Sequence, residues 1–243
     1  MRMRPLVLLG LLSLGMASTG FGQEVQGLVQ PVKQVSVSSP VLQEVVEAVL
    51  VEEGHVVKEG QVLVELRKIR EELAVQEGQR LVENAQYVAS GTEALARDKM
   101  GSREQALRAK TELELAKLKL ANAQEALREK TIRSPLAGIV VKKYKEVGES
   151  VDRVEKLVDI VNIDRVYVQF YLDPKLMPEL KVGQTISVRF PVLKEGNFQG
   201  KIDFVDPRID ASSSLFRVKV LLENPEQKIK AGMRGLADFT KRS

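Results

Sequence analysis

The sequence predicts a mainly β chain interrupted by an α-helical coiled-coil hairpin: a small β-module split in two by the insertion, followed by a small β-barrel. Three observations carry this reading. The stretch Val51 to Leu66, VEEGHVVKEGQVLVEL, returns as Lys145 to Ile160, KEVGESVDRVEKLVDI. One constant offset pairs Gly54 with Gly148, Val57 with Val151, Leu63 with Leu157, Val64 with Val158, Glu65 with Asp159 and Leu66 with Ile160. Between the copies, Lys68 to Lys130 holds no proline and is rich in Ala, Leu, Glu, Gln, Lys and Arg, residues that lose little on entering a helix. Beyond Ile160, short apolar–polar alternations recur between Gly, Pro, Asn and Ser, the pattern of short strands in series.

Taken in order, residues 1–22 read as an export signal. Arg2 and Arg4 precede an apolar run from Leu6 to Met16, and small residues follow around Ala17 and Gly22. The run falls short of the ~20 apolar residues that a membrane-spanning helix needs. No cysteine is present, so there is neither a disulfide framework nor a thiol for lipid attachment. The expectation is an exported, unlipidated, periplasmic protein, peripheral to the inner membrane. With 243 residues and 44% hydrophobic content, the chain is long enough to bury a core and carry several modules.

Residues 23–66 hold the first half of the β-module. Valine and leucine are dense from Glu44 to Leu66, with Gly54 and Gly60 as turns. The hairpin is expected over 67–130. Ala106, Ala109, Leu113, Ala116, Leu120, Ala123 and Leu127 fall at alternating three- and four-residue steps, a heptad seam. Ala74, Gly78, Leu81, Ala85, Val88, Thr92 and Leu95 form a weaker seam upstream. The midpoint lies at Lys99, beside MGSREQ, where Gly101 suits a helix C-terminal cap and Ser102 with Gln105 a capping box. Two antiparallel arms follow, each about 28 residues and so about 42 Å long.

Residues 131–164 hold the second half-module. It opens on Ser134-Pro135 and Gly138, continues as a strand from Ile139 to Tyr144, turns at Gly148 and closes with Lys156 to Val161. Gly60 is answered here by Val154, so that turn is expected to be built differently. In 165–243, Val166, Val168, Phe170 and Leu172 alternate with polar or aromatic neighbours. Asp173-Pro174 caps a short helix running to Leu180, and strands follow around Ile186–Phe190, Ile202–Phe204 and Phe216–Leu222.

Charge and chemistry narrow the function. The net charge of +4 includes the two signal arginines, and acidic residues interleave with basic ones elsewhere. Nucleic-acid binding would need clustered cations. His55 is the sole histidine and is matched by Glu149 in the second copy, which reads as a solvated turn residue. The methionines beyond the signal, Met100, Met177 and Met233, lie in three separate regions, and a metal site needs converging donors. ASSSLF at Ala211 to Phe216 has no histidine nearby, so no nucleophile–base set is assembled. The reading is of a non-enzyme with no cofactor and no metal.

Four fragments resemble the periplasmic adaptor, or membrane fusion protein (HlyD-like), family of tripartite efflux and secretion systems: EEGHVVKEGQVLVEL, TIRSPLAGIVVKKYKEVGESV, LKVGQTISVRF and ENPEQKIKAGM. They occur in the family's order over nearly the whole chain beyond the signal. The resemblance implies a split lipoyl-like (barrel-sandwich hybrid) domain, an antiparallel α-hairpin and a β-barrel. Ala231 stands where the family commonly has proline, while Gly232-Met233 is kept. Because Ser243 follows Met233 closely, the expectation is a short form lacking most of the family's membrane-proximal domain.

The resemblance also implies partners: an inner-membrane transporter, expected to be of the resistance-nodulation-division type, an outer-membrane channel, and further copies of the chain in a ring, commonly a hexamer. The family docks its channel through arginine, leucine and serine around the hairpin turn. Leu95 and Ser102 match the leucine and serine, and Gly91 occupies the arginine position. Arg97 or Arg103 offers a cation nearby, and Met100 completes the expected docking tip. Leu107, Leu115 and Leu118 lie off the α-helical seam and are the expected contact with a neighbouring hairpin. Two alternatives stand beside this. One is an adaptor of an ATP-binding-cassette exporter. The other is a lipoyl or biotinyl carrier modified at Lys99 in DKM, although a carrier lysine belongs on the tight turn between the β halves and not at the end of a helical hairpin.

Overall fold

The computed structural model describes residues 24–193 and 196–240; the expected export signal lies outside them. In chain order the elements are β1 (Glu24–Ser38), β2 (Glu44–Val49), β3 (Val56–Val57), β4 (Val62–Leu66), α1 (Ile69–Arg97), α2 (Arg103–Glu129), β5 (Thr131–Arg133), β6 (Gly138–Lys143), β7 (Ser150–Val151) and β8 (Lys156–Leu172). A short 3-10 helix (Pro174–Glu179), β9 (Thr185–Arg189), β10 (Asn197–Ile209), β11 (Phe216–Glu223) and β12 (Arg234–Asp238) complete them. The chain divides into two units. One comprises Gln30–Val166 with Glu223–Ala231; the other comprises Tyr167–Leu222 with the residues up to Val29 and from Gly232.

In the first unit the two sequence copies are wound into each other. β3 of the first copy pairs with β6 of the second (Val56 opposite Ile139, Val57 opposite Gly138), while β7 of the second pairs with β2 of the first (Glu44 opposite Val151, Val45 opposite Ser150). Backbone bonds repeat the exchange: Gly54 N–H donates to Val140 O at 2.8 Å, and Gly148 N–H donates to Val46 O at 2.9 Å. Sheet β5-β4-β2-β7 is completed in this way from both halves. Equivalent side chains, Val57 and Val151, Leu63 and Leu157, Leu66 and Ile160, are almost wholly buried in one shared core, as the repeat requires. Burying a side chain of this size stabilises by about 1.5–3 kcal/mol.

The turns follow the copies as well, with one correction to expectation. Gly54 and Gly148 have φ of +90° and +89°. Gly60 has φ +79°, and Val154, expected to need a different turn, adopts φ +68° in the same place. Gln61 N–H donates to Lys58 O in one copy and Glu155 N–H to Asp152 O in the other. The valine therefore holds a backbone conformation that costs an L side chain about 1–2 kcal/mol. The turn is held by Val154 N–H donating to Ser39 O at 2.9 Å and Asp152 N–H donating to the Glu155 carboxylate at 2.9 Å, and the valine side chain is 74% exposed.

ENPEQKIKAGM contributes a structural plug to this unit. Asn224 is buried; its amide donates to the carbonyls of Ile163 and Ile229 and its oxygen accepts from Ile229 N–H.

In the second unit the strand order β1-β12-β9-β10-β11-β8 is closed by a further pairing of β1 with β8, the barrel that the alternations predict. Val168, Phe170, Val188, Phe190, Phe216, Val218 and Val220 fill it. Asp173 caps the 3-10 helix by accepting from Lys175 N–H at 2.9 Å. Two strands escape sequence reasoning. β12 is short, and β1 contains Gly27 and Pro31, which look like turn punctuation. Gly27 is there for space: a Cβ would lie 2.7 Å from the Phe170 ring. Its neighbours Glu24 to Leu28 pair with Asp238 to Arg234, so this N-terminal stretch belongs with the barrel strands.

Candidate functional site

Side-chain size sets how the hairpin helices meet. On α2, Leu113 and Ala116 are buried and Ala106, Ala109, Leu120, Ala123 and Leu127 are half-buried, as the heptad spacing predicts. On α1 the covered positions are Val75, Gly78, Val82, Ala85, Ala89, Thr92 and Ala96. Only Gly78, Ala85 and Thr92 coincide with the expected seam; Ala74, Leu81, Val88 and Leu95 are exposed and each is displaced by its next neighbour. The helices approach closely at Gly78, where a Cβ would lie 3.1 Å from Leu120 Cα, and that contact sets which face of α1 is covered. Leu81 and Val88 instead border, with Ala109 and Ala116, a groove of about 280 Å3 between the helices.

The turn at the hairpin end is fixed by its own backbone. Lys99 N–H donates to Ala96 O at 3.3 Å and Met100 N–H to Leu95 O at 2.8 Å, a Schellman closure with Lys99 as the left-handed residue at φ +58°. Gly101, expected as that cap, instead gives the turn room, since a Cβ there would lie 3.0 Å from Leu95 Cβ. Ser102 is the N-cap of α2 as expected, but its hydroxyl accepts from Glu104 N–H at 3.2 Å and not from Gln105, its expected partner in a capping box.

Around this turn Met100 is 79% exposed and Leu95 is also exposed. Arg97 reaches Glu93 at 3.5 Å in an exposed pair, worth about 0.3–0.5 kcal/mol, and Arg103 is exposed. Leu107, Leu115 and Leu118 are 65%, 56% and 61% exposed, and none belongs to the seam. Leu107 and Leu118 are about three turns apart and so project from one side of α2, with Leu115 a turn from Leu118. The tip residues and the leucines thus form two separate groups, both on the hairpin and both unnecessary to its seam.

The opposite end of the hairpin holds a group that sequence reasoning missed. Lys130 follows α2 and is buried; its ammonium pairs with Glu44 of β2 and, at 3.1 Å, with Glu71 of α1. Burial pulls its pKa down, yet the hydrogen bonds to Glu44 and Glu71 outweigh it and hold it above the ordinary lysine value. Burial likewise pushes Glu44 up, and the bonds from Lys130 and from Val45 N–H bring it below the ordinary value. Leu66 N–H donates to Lys130 O and Arg67 N–H to Val45 O. Both chain crossings between module and hairpin are therefore tied to β2. In the sequence Lys130 looks like an ordinary basic residue at a helix C-terminus, and nothing local points to Glu44.

His55 behaves as a turn residue: its Nδ1 accepts from Glu52 N–H at 3.1 Å, as the Glu149 carboxylate accepts from Glu146 N–H at 2.8 Å. No helix among the described residues is long and apolar enough to cross a membrane.

A family model described as the CzcB-like barrel-sandwich hybrid domain matches residues 33–162, more than half of the chain, and another described as the CusB-like beta-barrel domain matches residues 165–243. The cation efflux system protein CzcB of Alcaligenes sp. (strain CT14) is 24% identical over 211 residues, which cover 80% of this chain and 40% of that protein. The chain spans about half or less of the length of the curated relatives it matches. A solved MacA-MexA chimeric protein containing the Pseudomonas aeruginosa MexA alpha-hairpin domain superposes with a TM-score of 0.79 at 20% identity, over 89% of this chain and 80% of that one. A membrane fusion protein of Streptococcus pneumoniae R6 gives 0.72 at 21% identity, over 91% of this chain and 100% of that one. These likenesses show a shared fold: mainly β, with a barrel-sandwich hybrid and an α-hairpin.

Proposed function

The chain belongs to the CzcB-like barrel-sandwich hybrid family of membrane fusion proteins, the periplasmic adaptors, and on that footing we propose that it couples an inner-membrane transporter to an outer-membrane channel for export of small molecules. The observation that carries this is the hairpin: two helices of 29 and 27 residues that leave their tip and an outer row of leucines unused by the fold. Such a part makes sense as a device for assembly, with no turnover of its own. Met100, Leu95 and the cations Arg97 and Arg103 are the proposed channel contact. Leu107, Leu115 and Leu118 are the proposed contact with the next hairpin in a ring of copies, a hexamer by the family's habit. A resistance-nodulation-division transporter is the proposed inner-membrane partner, supported by the CusB-like barrel and by a relative named for cation efflux.

The test substitutes Leu107→Glu together with Leu118→Glu, which leaves the seam residues Leu113, Leu120 and Leu127 in place. A contact between hairpins would have to desolvate the new carboxylates, and burying an unpaired charge is strongly unfavourable. Circular dichroism should be unchanged, while crosslinked oligomers and efflux-dependent resistance of the host fall together. An oligomeric and active double variant would reduce the leucines to ordinary surface residues.

A further inference from the structure

Tyr87 is the sole aromatic residue between Lys68 and Lys130, and it is 80% exposed. At about 100° per residue it points away from α2, nearly opposite to the covered positions Val82, Ala85 and Ala89. One turn further along the same side stands Gly91, also exposed, where an added Cβ would meet nothing within 4 Å. The outer side of α1 thus carries a large ring with a gap beside it. On α2, Leu107, Thr111 and Leu118 lie on the corresponding outer side, with Leu115 at its edge. The Thr111 hydroxyl donates to Leu107 O at 3.0 Å, and the Ser90 hydroxyl, next to the ring side, donates to Tyr87 O at 3.0 Å. Covering either face therefore leaves neither hydroxyl proton without an acceptor.

The two outer sides also agree in height and charge. Gly78 stands against Leu120 across the seam, and in an antiparallel pair each step up α1 is matched by one step back along α2. Gly91 is therefore level with Leu107, and Tyr87 with Thr111, midway between Leu107 and Leu115. Copies related by rotation about an axis parallel to the hairpin keep these levels. Between Leu73 and Ala96, α1 carries Glu77, Glu83 and Glu93 against the single cation Arg80, whereas between Gln105 and Asn122, α2 carries Arg108, Lys110, Lys117 and Lys119 against Glu112 and Glu114. An α1 face set against an α2 face brings opposite charges together, and two α1 or two α2 faces bring like charges together.

We propose that Tyr87 and Gly91 form the receiving face for the leucine row of a second copy of this chain. Tyr87 inserts among Leu107, Thr111 and Leu115 of the neighbour, and the neighbour's Leu107 fills the space over Gly91. Tyrosine suits the role of anchor, since buried aromatic residues carry much of the energy of an interface. The contact joins unlike faces, so it repeats from copy to copy and closes as a ring. It rests on the proposed role of Leu107, Leu115 and Leu118 as a contact between hairpins, and adds the surface that they meet.

Because the chain has no cysteine, introduced thiols report this contact directly. Full chains carrying Gly91→Cys or Leu107→Cys are coexpressed with different tags and oxidised by copper phenanthroline in air, dioxygen taking up the electrons and protons of each thiol pair. A disulfide needs Cα atoms within about 7 Å of each other. The 91–107 pair should give a mixed dimer, and Gly91→Cys with Leu118→Cys, about 16 Å further along α2, should not. Tyr87→Ala in both chains should lower the yield of mixed dimer about tenfold, as loss of an aromatic anchor does, with an unchanged circular dichroism spectrum. Dimers of Leu107→Cys with itself in place of the mixed dimer would set the leucine rows against each other; that overturns this proposal and leaves the contact between hairpins standing. No dimer from any pair would overturn both, and a mixed dimer indifferent to Tyr87→Ala would overturn the receiving role of Tyr87.

Discussion

The two halves of the split module trace one backbone with different side chains. Where the first copy folds its turn with an imidazole on Glu52 N–H, the second uses a carboxylate on Glu146 N–H. Where the first returns an amide oxygen from Gln61 to Lys58 N–H, the second returns a carboxylate from Glu155 to Asp152 N–H. What is repeated is an acceptor three residues on, bent back to the chain. Residue identity is free as long as that acceptor and the buried leucines and valines remain. The backbone is kept even where Val154 occupies the left-handed site of Gly60, while Lys130 ties the base of the hairpin to β2 of the first half.

Breaking the shared core should have the largest effect. Leu63→Ala and Leu157→Ala should each cost about 2–5 kcal/mol and agree within about 1 kcal/mol, read from urea midpoints. A cost below about 0.5 kcal/mol for either would separate the halves as energetic equivalents.

Next comes the anchor. Lys130→Met leaves Glu44 and Glu71 facing each other without a cation. Both carboxylates keep about a fifth of their solvent contact, so the cost should be about 1–3 kcal/mol, below that of a fully buried pair. Its pH dependence follows from the shifts. Glu44 lies below its ordinary 4.5 when folded, so its contribution is complete above that value and disappears as pH falls through the folded pKa. Lys130 lies above 10.5, so its contribution is complete below that value and disappears as pH rises through its folded pKa. The gap between wild type and variant should therefore be widest between these limits and close on acidification; a gap constant down to pH 3 would refute the anchor.

Exchanging the turn residues sharpens the comparison at a smaller scale. Val154→Gly should stabilise by about 0.5–1 kcal/mol, the relief of the left-handed valine less the added freedom of the unfolded chain. Gly60→Ala should destabilise by about 1 kcal/mol. Smallest of all, His55→Ala and Glu149→Ala should each cost about 0.5 kcal/mol, since both acceptors are exposed. Thermal denaturation in parallel would rank all four.

What the sequence made legible was whatever repeats. The half-modules announce themselves by a constant offset, and α2 by its three- and four-residue steps. α1 misled because Leu81, Val88 and Leu95, which extend its expected seam, are exposed, each one residue short of a covered position; the tight contact at Gly78 and Leu120 is a property of two helices together. β1 was hidden by Gly27, a residue chosen by a phenylalanine far along the chain. Lys130 with Glu44 is likewise a meeting of distant residues whose local settings look ordinary. Among the expected site residues, Ser102 could be derived from local rules, whereas the role of Leu107, Leu115 and Leu118 depends on a neighbour that one chain does not contain.

The exchange of strands between the halves also dictates an order of folding. Neither copy can complete its sheet alone, because β3 waits for β6 and β2 waits for β7, and the partners are separated by the entire hairpin. Were that segment a flexible loop of about 60 residues, closing it would cost roughly 3–4 kcal/mol of chain entropy before any core contact was made. Helices form from contacts near in sequence, and an antiparallel pair can zip from its turn. Once α1 and α2 have paired, Leu66 and Lys130 are delivered to hydrogen-bonding distance, and each half meets the other at high local concentration. The hairpin is thus the step that converts a slow, non-local fold into a nearly local one.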